Sequence, residues 1–256
     1  MSRTHHDFVA EHYSPRASAY VSSAVHASGA DLDQIEAFVR GAAGAAVLDL
    51  GCGGGHVAYR AAPHVGEVVA VDLSAAMLAE VARVAAARGL ANIAVQQAPA
   101  ERLPFPDGHF DIVLSRFTGH HWHEWEAGLR EAARVLKPGG RALFADTVAP
   151  AHPLIDTHLQ AIELLRDASH VRNYTGAEWS AALGRAGFTI MSWEARRLRM
   201  EFPVWIARTR TSEVHAAAIL SLQAGASAEV RRHLAIGDDG SFDIEEIVFE
   251  AERSGA

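Results

Sequence analysis

Val47-Leu48-Asp49-Leu50-Gly51-Cys52-Gly53-Gly54-Gly55-His56 joins a short apolar run to a glycine-rich turn, with an acid just before the turn. Glycine admits positive φ and lets a ligand approach bare backbone. The helix start that follows offers N–H groups without intrahelical partners. The arrangement suits a nucleotide-like ligand. Asp49 sharpens this, because a pyrophosphate gains nothing from a neighbouring carboxylate, whereas a ligand with a cationic end does.

Outward from this turn, strand-like runs alternate with helix-like runs, as in a parallel sheet covered by crossover helices. Val47–Leu50, Glu67–Asp72, Asn92–Gln96, Phe110–Ser115 and Arg141–Thr147 read as five strands. Ser74 reads as the N-cap of a helix carrying Met77, Leu78, Val81 and Val84 on one face, closed by Gly89. A further helix from about Glu124 to Leu136 ends at Lys137-Pro138-Gly139-Gly140. After Pro150 and Pro153 the alternation is interrupted by a helical stretch, Asp156–Asp167, which reads as an inserted lid. Thr175-Gly176-Ala177-Glu178 is a capping box opening a helix that Gly187 stops before the strand-like Phe188–Trp193. Residues 203–235 read as helical, with Thr211 and Ser227 as N-caps, and Ser241–Glu250 as a last strand buried on both faces.

The composition bounds the function. At 256 residues, 49% hydrophobic and 21% charged, the chain can bury a substantial core. A formal charge of −8 leaves no broad basic surface, which argues against nucleic acid as the main partner and for a small molecule. The lone cysteine, Cys52, excludes an intramolecular disulfide and fits a reducing cytoplasm. No signal-peptide pattern opens the sequence, and no stretch approaches the roughly 20 apolar residues of a membrane span, so no membrane insertion is expected. Among the 15 histidines the densest group is His120-His121-Trp122-His123. Adjacent histidines on an extended segment point in opposite directions, and nothing completes a tetrahedral set, so no metal is expected.

Asp72 ends the second strand 17 residues after Gly55, placed to accept from both hydroxyls of a ribose. In open α/β sheets ligands bind beyond the carboxyl ends of the strands, so Asp49, Gly51–Gly55 and Asp72 converge on one crevice. Here the sequence resembles the class I S-adenosylmethionine-dependent methyltransferases, in the subgroup similar to ubiquinone/menaquinone-biosynthesis methyltransferases. Four ordered segments carry the likeness across about residues 40–150: 48–55; Val71-Asp72-Leu73-Ser74 with Met77-Leu78; Glu101–Phe105 with Phe110–Val113; and Arg130-Glu131 with Arg134–Gly140.

The resemblance implies a doubly wound, seven-stranded, mostly parallel sheet with its last strand antiparallel, and S-adenosylmethionine as cofactor with S-adenosylhomocysteine as product. Asp49 and the backbone of Gly51, Cys52 and Gly53 would face the methionyl portion, whose ammonium and sulfonium account for the acid. Asp72 would hold the ribose, Leu73 and Met77 would contact adenine, and Ala100 with Glu101 would lie along its edge. Pro99 stands where many relatives have an acid for the adenine amino group, which leaves that recognition to backbone. Tyr20 lies in an N-terminal cover, with Tyr13 and His26, and Ser115 ends the fourth strand toward the cofactor. Cys52 reads as structural, since nothing in the sequence lowers its pKa or pairs it with a base.

The acceptor side rests on fewer signals. His120 and His121 follow Ser115-Arg116-Phe117 at the cofactor edge of the sheet, near Asp146 on the fifth strand. A carboxylate-oriented histidine suits proton removal from an acceptor, and packing with pocket lining is the other reading. Arg116 and Phe117, with Arg172 and Tyr174 from the lid, are the candidate acceptor contacts; a solvated helix end is the other reading of the lid cluster. One methyltransferase domain over 1–256 is expected, with a helical cap over 1–40, a cofactor core over 41–150, and the lid with the rest of the sheet over 151–256. The expected function is O- or C-methylation of a small molecule. The rivals are a non-catalytic S-adenosylmethionine-binding regulator and a nucleotide-cofactor oxidoreductase, which lacks support because the turn has no third glycine at Gly-x-Gly-x-x-Gly spacing. Saturating S-adenosylmethionine is therefore expected to give a clear upward thermal shift, and NAD none; stabilisation by NAD alone would favour the oxidoreductase.

Overall fold

The Val47–Leu50 run becomes a central strand because its side chains alternate between two cores. A computed structural model describes residues 4–16 and 29–255. Strand β1 (Ala46–Leu50) sends Leu48 and Leu50 to one face of the sheet and Val47 to the other, and all three are fully buried. The remaining strands are β2 (Glu67–Asp72), β3 (Ile93–Gln97), β4 (Phe110–Arg116), β5 (Leu136–Val148), β6 (Phe188–Met200) and β7 (Phe242–Arg253). They form one seven-stranded sheet in the order β3-β2-β1-β4-β5-β7-β6. Strands β1 to β5 pair in parallel, and β7 runs antiparallel between β5 and β6. The expected doubly wound α/β fold, including the antiparallel last strand, is borne out.

Helices α1 (His5–Tyr13), α2 (Ala30–Val39), α3 (His56–Ala61) and α4 (Ala75–Ala87) are followed by α5 (Trp125–Val135), α6 (Pro153–Arg166) and α7 (Gly176–Ala186). Helices α2, α3 and α4 cover the Val47 face through Leu32, Ile35, Val57 and Val81, while α5 and α7 cover the other through Leu129, Trp179 and Leu183. Local chemistry sets the helix ends. The Ser74 side chain accepts from Met77 N, and Thr175 and Glu178 exchange the reciprocal bonds of a capping box. Gly187 closes α7 at φ 94°, which a side chain would disfavour.

Three differences from the sequence expectation have physical causes. Strand β5 starts at Leu136 rather than Arg141, because Lys137–Gly140 bulges out between the Phe110↔Leu136 and Ile112↔Arg141 pairs. Asp111 fastens that excursion, accepting from Lys137 Nζ (2.6 Å) and Ala46 N (2.9 Å). Strand β6 continues to Met200 through a run of arginines that hides its alternation, and β7 reaches Arg253. The helix expected to be capped by Thr211 is capped by Ser212, whose hydroxyl accepts from His215 N, while Thr211 donates to Arg166 O.

The expected lid is also larger than the 156–174 stretch. Helix α6 packs with α8 (Phe202–Thr209), α9 (Glu213–Ala224) and α10 (Ala228–His233), which all lie between β6 and β7. Leu159, Ile162, Trp205, Ile219 and Val230 make a third apolar cluster there with Phe242 and Ile244 of β7. Leu159→Ala in this satellite should cost about 3 kcal/mol. Amide exchange should accelerate across α6 and α8–α10 while β1–β4 keep their protection. Loss of protection across the whole sheet would show that the satellite is not a separate unit.

Candidate functional site

At the carboxyl end of β1 the chain must turn beneath β2, and the backbone fixes how. Gly51 N and Cys52 N both donate to Val71 O, at 2.9 and 2.8 Å. Gly51 has φ 73°, and a Cβ there would stand 2.2 Å from Thr118 Oγ1, so no side chain fits. Gly53, at φ 47°, sends its N–H to Asp72 Oδ2 (2.9 Å), and Ser74 N donates to Asp72 Oδ1 (2.8 Å). The turn and the end of β2 are thus locked to each other through one carboxylate. Asp49 sits beneath them, 1% exposed, with Oδ2 accepting from Ala58 N at 3.0 Å.

Burial governs the electrostatics. Desolvation pushes the Asp49 carboxyl up to about 7 against the Ala58 hydrogen bond, and the neighbouring Asp72 adds to the rise. Asp72 is also raised by burial, against the N–H donors of Ser74 and Gly53. Two carboxyls held in this condition favour a cation in the crevice. Burial likewise pushes the Cys52 thiol well up, which makes it a poor nucleophile.

These residues open onto a cavity of about 660 Å³. Asp49, Gly51, Cys52, Gly53, Asp72, Leu73, Met77, Ala100 and Glu101 line one part of it. Glu101 is fixed by Glu124 N (3.1 Å) and lies 3.3 Å from His6 Nε2 of α1, so the N-terminal helix borders the same space. Tyr20 and His26 lie outside the described residues. Ser115 differs from expectation: it is buried inside β4, and the cavity wall passes to Arg116 and Phe117 instead.

His120 and His121 both line the cavity, and the structure gives them different surroundings. His120 Nδ1 lies 2.6 Å from Asp146 Oδ1; among the described residues no hydrogen bond engages its Nε2. Burial alone would lower this imidazole, but the charge and hydrogen bond of Asp146 carry it above its ordinary value. His121 Nε2 lies 3.0 Å from the Tyr13 hydroxyl, which donates to Asp167 at 2.7 Å, and its Nδ1 lies 3.2 Å from Ser169 Oγ. Burial, with His120 adjacent, pushes His121 down to about 3, so it stays neutral. This network ties α1 to the turn after α6.

Arg116 lines the cavity but is engaged: its Nε donates to Asp31 of α2, both almost fully buried, and its guanidinium lies 4.6 Å from the Phe117 ring centroid. Phe117 has φ 51°, a strained backbone for a bulky residue, at the cavity lip. The expectation for Arg172 and Tyr174 is corrected. Arg172 donates to Asp156 (2.8 Å) and Tyr174 stacks on Trp125 at 3.6 Å, so neither lines the cavity. Their place is taken by Arg166 of the same lid stretch and by residues that sequence reasoning missed, among them Asp31, Arg196, Trp205 and Glu246. Glu246 did carry a signal, an acid between Ile244 and Val248 at the alternate positions that share one face of β7. Among the described residues no group of three or more His, Cys, Asp or Glu is arranged to hold a metal, and no helix is long and apolar enough to cross a membrane.

Known proteins match both the sequence and the fold. Residues 48–144 match the family model described as a methyltransferase domain. An uncharacterised protein of Escherichia coli, YafE, is 46% identical over 200 residues, covering 78% of this chain and 97% of its own. YcgJ of Bacillus subtilis, named an uncharacterised methyltransferase, is 36% identical over 199 residues, covering 78% and 79%. Its crystal structure superposes with a TM-score of 0.83 over 88% of this chain and 99% of its own. The ubiquinone/menaquinone biosynthesis C-methyltransferase UbiE of Ectopseudomonas mendocina is 41% identical over 113 residues, covering 43% of this chain and 44% of that protein. With the glycine turn, the paired acids and the sheet order on which these likenesses fall, the chain belongs to the class I S-adenosylmethionine-dependent methyltransferases.

Proposed function

We propose that this chain methylates an oxygen or carbon of a small-molecule acceptor, with His120 as general base and Asp146 as the residue that orients it. The observation that carries the reading is the 2.6 Å contact between His120 Nδ1 and Asp146 at the wall of the cavity that the glycine turn also lines. A proton on Nδ1 faces Asp146, which leaves Nε2 to take a proton from the acceptor.

The crevice fits the cofactor on its own chemistry. Gly51 leaves no room for a side chain, Gly53 presents bare backbone, and Asp49 and Asp72 are carboxyls that burial has raised and a cation would relieve. Asp49, Gly51, Cys52, Gly53, Asp72, Leu73, Met77, Ala100 and Glu101 are proposed to hold S-adenosylmethionine, which when bound supplies an electrophilic methyl group on a sulfonium. Arg116 and Phe117 are proposed to border the acceptor, and Tyr13 with the satellite helices to exclude water. His121, neutral and held by Tyr13 and Ser169, has a positioning role in this reading. The enzyme is proposed to be one domain, with its acceptor a small molecule of the cytoplasm.

The test is S-adenosylhomocysteine release from a panel of phenols, quinols and hydroxy acids. His120→Gln should lower kcat by about 100-fold or more, with S-adenosylmethionine affinity within about twofold of wild type. In the wild type kcat should rise with pH, because the base works deprotonated, and the midpoint should lie above the ordinary histidine value. Asp146→Asn should move that midpoint down. Full turnover by His120→Gln would overturn the assignment.

A further inference from the structure

Among the described residues, Glu246 and Arg196 on the cavity wall beyond the glycine turn each hold a buried polar atom that no hydrogen bond satisfies. Glu246 of β7 is 1% exposed, and its Oε1 has no hydrogen-bond partner. It pairs across the sheet with Arg196 of β6, whose guanidinium is fixed on two sides. Arg196 Nε and Nη2 donate to Glu194, at 3.1 and 2.6 Å, and Nη2 also donates to Gln34 at 2.7 Å. Nη1 is left without a hydrogen bond, 3.8 Å from Glu246 Oε2. That separation is an ion pair but too long for a hydrogen bond. Both residues line the cavity, and Leu198, Met200, Val204 and Trp205 line it with them.

A carboxyl oxygen and a guanidinium N–H left bare in a buried site are costly, and the cost is recovered only by a group that serves both. Such a group accepts from Arg196 Nη1 and donates to Glu246 Oε1. Burial pushes the Glu246 carboxyl up to about 7, so above that pH, where it only accepts, a ketone or an ether satisfies the arginine alone and a carboxylate faces the Glu246 charge. A hydroxyl or a primary carboxamide satisfies both. Thr147, the β5 partner of Glu246, lines the same cavity, as does His120, so the anchor point and the proposed base face one space.

Resting on the reading that this cavity receives the methyl acceptor, we propose that Glu246 and Arg196 anchor the acceptor by a neutral hydroxyl or carboxamide, with its apolar body against Met200 and Trp205. The anchored group is distinct from the atom methylated, so the acceptor carries a second reactive position directed at His120.

The test is calorimetric binding of 1-adamantanol and 1-methoxyadamantane to the full chain saturated with S-adenosylhomocysteine, after the S-adenosylhomocysteine affinity itself is measured. Failure of S-adenosylhomocysteine to bind would overturn the cofactor reading and the anchor with it, whereas normal binding isolates the anchor. Wild type should bind the alcohol at least about tenfold tighter than the ether. Glu246→Leu should bring the two within about twofold, and Glu246→Gln should keep the preference, since its amide oxygen still accepts. Arg196→Met should also reduce the preference, which provides a second arm if Glu246→Leu does not fold. Equal affinities in wild type, no binding of the alcohol at its solubility limit, or a preference retained in both Glu246→Leu and Arg196→Met would overturn the anchor.

Discussion

Two carboxylates taken out of water at the carboxyl end of a parallel sheet are the constraint on which this structure turns. Isolated buried charge is costly, and here it is offset in part by backbone: Ala58 N donates to Asp49, and Gly53 N with Ser74 N donates to Asp72. Those donors come from the turn through positive φ at Gly51 and Gly53 into α3 and from the direct passage of β2 into α4. The same bonds fix the crevice, so the geometry of the ligand site and its electrostatic character have one origin. The backbone leaves both groups above the usual carboxylate range, and a cationic ligand supplies what it lacks.

The rest of the cavity is a composite of distant segments. The sheet reverses its strand order at β1, opening the crevice between β1 and β4 where Arg116, Phe117 and His120 emerge. Inserting β7 antiparallel between β5 and β6 brings Glu246 and Arg196 together and carries the satellite helices over the same space. The glycine turn and paired acids can therefore serve a shared cofactor while the insertions between strands vary the acceptor side. Helix α1 closes a further side, held by the Tyr13, His121 and Asp167 network.

Much of the fold was legible because its signals are local. The Leu48–Gly55 turn, the Ser74 cap, the Thr175–Glu178 capping box and the Gly187 stop each depend on a few adjacent residues, and the strands follow from their apolar runs. Helix-capping and bulge details were less readable: a Lys-Pro-Gly-Gly turn signal concealed a bulge inside β5, and the arginines of β6 masked its alternation. The acceptor side was hard to read for a different reason. A polar side chain in the lid looks available until its partner is known, and Arg172 and Tyr174 are engaged by Asp156 and Trp125. Conversely, Asp31, Arg196 and Glu246 meet only through long-range pairing, which no local pattern encodes.

The central claim is that the buried acid at the turn is completed by a cationic cofactor. It is tested most directly by NMR titration of the Asp49 side-chain carboxyl, with and without saturating S-adenosylmethionine. The ligand-free protein should titrate near 7, and binding should return Asp49 to the ordinary carboxylate range. A titration that stays where it is on binding would contradict the account.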